Sequence, residues 1–228
     1  DNPVMFNTVV TSDLGEKVAA DHGVETEKTL TSFKFIGEKV AKYEQTHKKN
    51  YVFGYEESYG SLIKPFVRDK DAPQACLMLA EAAAYYKKQG KDLVDVLNDL
   101  YAKHGTYEES QVALSLAGEA GAKRIQQILS DLRKDAPKEI AGEPVVKSED
   151  YKEEIIEENG EKKPLTGFVK SDVLKYYLED GSWIAVRPSG TEPKCKFYYC
   201  VKGSDKADAH EKTEKFQQAM AELTGTAE

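Results

Sequence analysis

Strand-like and helix-like segments alternate through the first half of this chain and stop alternating past Gly118. A single layered sheet does not accommodate both regimes, so the pattern calls for two domains of different class. In the first regime a strand over 5–11 leads into a short helix that Ser12 or Asp13 can cap. Thr31 or Ser32 precedes a helix with Phe33, Ile36, Val40 and Tyr43 on one face. Residues 51–53 read as a short buried strand. Asp71 can cap a helix in which Pro73 occupies the first turn, where its missing N–H costs little. The Ala and Leu residues of 76–84 mark that helix as buried. Another helix spans 92–104 and is stopped by Gly105. The expectation for residues 1–115 is an α/β/α layered domain with a mixed sheet.

In the second regime Ile125, Ile128, Leu129 and Leu132 line a helix that ends near Pro137. Strand signals follow at 145–147, 151–156, 182–187 and 194–201. Cys195, Phe197, Tyr199 and Val201 alternate with Lys196, Tyr198 and Cys200, which predicts one better-buried face. Asn159-Gly160 is a turn signal, and the acidic residues Glu153, Glu154, Glu157 and Glu158 read as a solvated hairpin. Asp205 can cap a last helix carrying Phe216, Met220 and Leu223. Residues 116–228 are expected to form a smaller α+β domain, an antiparallel sheet with flanking helices.

Two loops carry the chemistry. Arg187-Pro188-Ser189-Gly190-Thr191-Glu192-Pro193-Lys194 lies between two strands and gathers a guanidinium, two hydroxyls, a glycine amide and an ammonium. Arg grips two phosphate oxygens with its planar fork and Lys acts as a point charge. Gly190 lets the backbone approach an anion. The same residues also make an ordinary hairpin turn. Gly54-Tyr55-Glu56-Glu57-Ser58-Tyr59-Gly60 follows the strand at 51–53, and Arg68-Asp69-Lys70-Asp71 comes shortly after. Open α/β sheets place ligands beyond the carboxyl ends of their strands. Carboxylate and hydroxyl groups there suit the vicinal hydroxyls of a sugar, although such a stretch is also an ordinary solvated loop.

Together the loops resemble the α-D-phosphohexomutase family, and within it the phosphoglucomutases, over nearly the whole chain. Thr11-Ser12-Asp13-Leu14-Gly15 and residues 29–39 resemble that family's third domain. The segment from Gly54 to Gly60 resembles its sugar-recognition loop, 68–71 the basic segment after it, and 187–194 the phosphate loop of its fourth domain. The resemblance implies a reversible shift of a phosphoryl group between C1 and C6 of a hexose, through a phosphoserine and glucose 1,6-bisphosphate. It implies that Glu56 and Ser58 hold sugar hydroxyls and that Lys70 touches the sugar phosphate near the reacting end. It also implies that Arg187, Ser189, Gly190, Thr191 and Lys194 grip the phosphate that is not reacting. Thr31 and Ser32 sit where the family has a Thr-Gly substrate loop, with Ser32 in place of the glycine.

The family's phosphorylated-serine loop, Thr-Ala-Ser-His-Asn-Pro or similar, does not occur here, and neither does its magnesium-binding Asp-Gly-Asp loop. Asp69-Lys70-Asp71 lacks the third carboxylate and the glycine and precedes a helix. The chain therefore reads as the C-terminal half of a larger enzyme. It has no catalytic residue and no metal ligand of its own, and Mg2+ is expected to bind outside it. The expected partners are a phosphosugar and the N-terminal domains. The half alone is expected to be inactive. Glu-Glu-Ser resembles phosphoglucomutases, whereas dual-specificity phosphomannomutases tend to Glu-Met-Ser. A phosphomannomutase, a phosphopentomutase and a non-catalytic phosphosugar-binding module stay open.

Composition bounds the remaining classes. Thirty-two basic and forty acidic residues give a net charge of −8 with the signs interspersed, which argues against a nucleic-acid surface. No apolar run approaches the ~18 residues of a membrane span, and no leader is expected. Cys76, Cys195 and Cys200 show no metal spacing, so reduced thiols in a cytoplasm are expected.

Overall fold

Both faces of the strand Pro3–Thr8 (β1) are buried, which places it inside a parallel sheet rather than at an edge. It pairs in parallel with Glu25–Thr29 (β2) on one side and Asn50–Tyr55 (β3) on the other. Ser61–Leu62 (β4) joins β3 antiparallel. The computed structural model describes residues 2–190 and 192–227. Among them this first sheet has four strands in the order β2-β1-β3-β4.

Helix Leu14–Asp21 (α1) connects β1 to β2, and Phe33–Thr46 (α2) connects β2 back across to β3. The winding thus reverses at β1, the geometry that opens a crevice beyond the carboxyl ends of the strands. Phe33, Ile36 and Val40 of α2 bury against Val4, Phe6 and Leu62, and the rings of Tyr43 and Tyr51 stack on Phe6 at 6.0 and 5.9 Å. Opposite, Gly15 of α1 sits so close to Tyr55 that an added methyl would lie 1.9 Å from the phenol oxygen. Helices therefore cover both faces of a mixed sheet.

Two further helices complete this unit. Ala72–Lys87 (α3) is capped by Asp71, whose carboxylate accepts from the Gln74 amide at 3.1 Å, with Pro73 in the first turn. Leu93–His104 (α4) begins with a reciprocal capping box between Asp92 and Asp95. Lys103 and His104 at its end reach Asp21 of α1 at 2.5 and 2.9 Å. Helix α3 departs from expectation, because none of its residues is buried. Leu77 is 68% and Leu79 60% exposed. Its apolar residues run all round its circumference, whereas within this unit β4 and α4 are the main elements against it among the described residues.

The chain divides into Asp1–Gly105 and Thr106–Glu228, not after residue 115. The reason is Thr106–Ser115 (β5), which pairs along its whole length with Lys194–Gly203 (β12). Its mainly polar residues sit at a sheet edge and give little period-2 signal.

The second unit also contains Gly118–Lys134 (α5), Glu139–Ile140 (β6), Glu143–Asp150 (β7), Ile155–Glu158 (β8), Glu161–Pro164 (β9), Leu174–Leu178 (β10), Trp183–Pro188 (β11) and Lys206–Leu223 (α6). The antiparallel order is β5-β12-β11-β10-β7-β8-β9, with β6 on β7. Ile128 and Leu129 of α5 and Phe216 and Met220 of α6 pack on Ile184, Val186, Phe197 and Val201. Burial on β12 is not confined to one face: Tyr198 and Cys200 are as enclosed as their alternates. The strand expected at 151–156 begins only at Ile155. Asp150 turns the chain first, its Oδ1 accepting from the Lys152 and Glu153 amides at 2.9 and 3.2 Å. Asn159 and Gly160, at φ 52° and 81°, make the tight turn from β8 to β9. Among the described residues no helix is long and apolar enough to cross a membrane.

Candidate functional site

In the first unit β3 ends at Tyr55 and the chain closes a small loop, the Glu56 amide donating to the Gly60 carbonyl at 2.9 Å. Gly60 leaves room for this convergence: a methyl there would lie 2.5 Å from Glu56 Oε1 and 2.6 Å from Lys70 Cδ, so both side chains would have to move. Lys70 Nζ stands 3.9 Å from Glu56 Oε1 and donates to Asp69 at 3.2 Å. Its ammonium also lies 5.9 Å from the centre of the Phe33 ring. Phe33 begins α2 directly after Thr31 and Ser32, so Glu56, Lys70 and the start of α2 come together. The basic segment rests on α2 through Gly37, where a methyl would lie 2.6 Å from the Arg68 carbonyl oxygen. Arg68 is itself tied to Glu44 and to the Pro65 carbonyl. The Glu56 side chain is only 10% exposed. Ser58 is exposed, and Tyr59, at φ 71°, is 99% exposed.

In the second unit the β11–β12 hairpin lines a cavity of about 580 Å³. Arg187, Ser189, Gly190 and Lys194 all face it, with Ser171, Asp172 and, from α5, Gln126 on the other walls. Thr191 lies outside the described residues. The hairpin is closed by Ser189 N–H to Lys194 O at 2.8 Å and by Glu192 N–H to Ser189 Oγ at 3.2 Å. Arg187 Nη1 donates to Tyr198 Oη at 3.3 Å and, among the described residues, forms no ion pair. Lys194 pairs with Glu192 at 2.7 Å, and the hydrogen bond from that ammonium holds the Glu192 carboxyl below its usual range. The charge of Asp172 is met from the far side by Arg133, which also holds Asp150 at 2.9 Å. Among the described residues, the uncompensated charge in the cavity is thus the Arg187 guanidinium. Gly190 has open space where a side chain would stand, so an oxyanion can approach its backbone.

The donors of this arrangement suit an anion by their chemistry, and its carboxylates do not suit a divalent cation. Asp69 is engaged by the Lys70 backbone and ammonium, and Asp71 by the start of α3. Among the described residues no three acidic, His or Cys side chains cluster as metal ligands would. Sequence motifs do not single out Gln126 and Asp172 in the cavity, Tyr198 bonded to Arg187, or Glu57 with its partners Thr8 and Thr11 in the 54–60 loop. Tyr198 was legible only as an alternating strand residue. Its hydroxyl meets Arg187 because the two lie diagonally across the β11–β12 pair, where Arg187 faces Lys196.

Comparison with known proteins agrees with this layout. The family model for phosphoglucomutase/phosphomannomutase, alpha/beta/alpha domain III, matches residues 1–104, and that for the phosphoglucomutase/phosphomannomutase C-terminal domain matches residues 125–223. A phosphoglucomutase of Staphylococcus epidermidis is 36% identical over 199 residues, 86% of this chain and 36% of that protein. One from Staphylococcus aureus strain MRSA252 is 36% identical over 210 residues, 92% of this chain and 38% of that protein. This chain thus spans little more than a third of those relatives' length. Among solved structures, the open form of pp63/parafusin, a phosphoglucomutase from Paramecium, superposes with a TM-score of 0.62 at 18% identity, covering 98% of this chain and 38% of that one. A putative phosphomannomutase from Thermus thermophilus gives 0.61 at 17% identity, covering 98% and 36%. These two establish likeness of fold. With both family models matched across most of its length, the chain belongs to the phosphoglucomutase/phosphomannomutase family and carries its domain III and C-terminal domain.

Proposed function

We propose that this chain is the substrate-holding part of a phosphoglucomutase that interconverts glucose 1-phosphate and glucose 6-phosphate through a phosphoserine and glucose 1,6-bisphosphate. The observation that carries the reading is the cavity that gathers Arg187, Ser189, Gly190 and Lys194 around an uncompensated guanidinium. Glu56 and Ser58 hold sugar hydroxyls, Lys70 meets the phosphate near the reacting end, and Thr31 and Ser32 border the sugar. Arg187, Ser189, Gly190, Thr191 and Lys194 hold the distal phosphate, which requires Lys194 to loosen its pair with Glu192. In the whole enzyme Mg2+ offsets charge on the phosphoryl group in transfer. This chain's part is to hold either phosphate while the sugar presents the other end. The serine donor and the metal ligands belong to the length of the relatives that this chain does not span. The free thiols favour a reducing compartment such as the cytoplasm. The curated relatives at 36% identity, named phosphoglucomutases, favour glucose over mannose phosphate.

Titration of the 15N-labelled chain with glucose 6-phosphate should shift the amides of Ser189 and Gly190. Affinity should be weak, since the contacts of the remaining domains are absent. Arg187→Ala should abolish the response, because it removes the bidentate charge. Shifts confined to other surfaces, or retained in Arg187→Ala, would show that the phosphate site lies elsewhere.

A further inference from the structure

The loop from Glu56 to Gly60 is fixed at a second point, on β1. Thr8 Oγ1 donates to Glu57 Oε2 at 2.7 Å, and Thr11 Oγ1 stands 3.5 Å from the same oxygen. The two hydroxyls are 2.9 Å apart and essentially fully buried. The turn that carries them is closed on itself: the Thr8 amide donates to Thr11 Oγ1 at 3.2 Å, the Val10 amide to Thr8 Oγ1 at 3.3 Å, and the Thr11 amide to the Thr8 carbonyl at 3.0 Å. Glu57 therefore ends in a rigid, preformed socket at the carboxyl end of β1.

Consecutive carboxylates of the loop thus face different partners. Glu56 faces Lys70, 3.9 Å away, while Glu57 reaches across from β3 to β1. That span crosses the point where the winding of the sheet reverses, the part of such folds where ligands bind. A hydrogen bond from a buried hydroxyl to a carboxylate is among the stronger kinds, and here it joins segments separated by 49 positions.

We infer that Glu57 is a positioning residue, which sets Glu56 and Ser58 for the sugar by anchoring their loop to Thr8 and Thr11 and does not touch the sugar itself. The inference rests on the reading that Glu56 and Ser58 hold sugar hydroxyls. It gives the middle residue of Glu-Glu-Ser a task distinct from that of its neighbours.

The test has a ligand-free arm and a ligand arm, both on the whole chain. Without ligand, amide exchange at Glu56 should quicken about tenfold in Glu57→Met and in Thr8→Val, since either removes one charge-assisted bond. Thr8→Ser keeps the hydroxyl and should stay near wild type, while Glu57→Gln keeps an acceptor without its charge and should fall between wild type and Glu57→Met. Combining Glu57→Met with Thr8→Val should add nothing further. Amides of Ile36 and Val40 serve as the control for an intact core. Unchanged exchange in both single variants overturns the anchor.

With glucose 6-phosphate, the same two disruptive variants should weaken the response of the loop amides in parallel, while inorganic phosphate shifts Ser189 and Gly190 equally in all proteins. Weakening in Glu57→Met with none in Thr8→Val would mean that Glu57 contacts the sugar directly, and the inference fails. Exchange behaving as expected while the wild-type loop ignores the sugar would instead overturn the sugar-site assignment and leave the anchor standing.

Discussion

At Ser32 the backbone takes φ 108° and ψ 126°, a region that side-chain-bearing residues enter at a cost of roughly 1–3 kcal/mol. The residue makes no side-chain cap to α2 that would offset the strain. Ser32→Gly relieves the strain but adds freedom to the unfolded chain, which costs about 0.4–1 kcal/mol. The net expectation is a gain of about 1 kcal/mol, visible as a higher urea midpoint at constant slope. A lower midpoint would mean that the serine hydroxyl holds the turn. Ser32 stands where the resemblance places a glycine, and its dihedral angles give that difference a physical meaning. Gly60 is a contrasting case. Its missing side chain leaves room for Glu56 and Lys70 to converge, a contact between segments that local sequence does not display.

At the scale of elements, what could be read in advance was what neighbouring residues decide. Asp71 with Pro73, and Asp92 before its apolar run, announced two helix starts, and Asn159-Gly160 announced a turn. Strands β5 and β10 escaped notice. The first lies at an edge with polar residues on it. The second, Leu-Lys-Tyr-Tyr-Leu, buries its lysine (Lys175, 1% exposed) against Trp183, with Nζ 3.9 Å from the ring, and so breaks the usual alternation. Helix α3 was legible as apolar but not as exposed, because its environment is a property of the assembled unit. The docking of α2 on β2 makes an electrostatic prediction. Glu27 of β2 accepts from Lys39 and Tyr43 of α2, each at 2.6 Å, and from Lys49 at 2.8 Å. Burial would push its carboxyl up, but those three hydrogen bonds prevail and hold it down at about 2. A carboxyl depressed in the folded state contributes stability that is complete above its unfolded value, near 4.5, and is lost as pH falls toward 2. Urea midpoints measured across that window should therefore fall less steeply in Glu27→Gln than in wild type. Equal slopes would show that the clasp contributes nothing.

For the molecule as a whole, the proposed function gives each unit one part of substrate holding and assigns phosphoryl transfer to neither. The chain alone should convert no glucose 1-phosphate to glucose 6-phosphate in a coupled dehydrogenase assay, with Mg2+ and glucose 1,6-bisphosphate supplied. Measurable turnover would relocate the chemistry into these residues. Both fold classes are legible in the periodicity, whereas the division after Gly105 is not. The pairing of β5 with β12 and the packing of α6 on β5 assign 106–115 to the second unit, and such contacts are long-range information. The exposed helix α3 has a practical consequence. Of the three thiols, Cys195 and Cys200 are buried, and enclosure pushes the Cys195 thiol up to about 12, whereas Cys76 is exposed on α3. An unaltered chain treated with a maleimide dye should take up a single fluorophore, stationed on that apolar helix and able to signal by its colour when any surface comes to cover it.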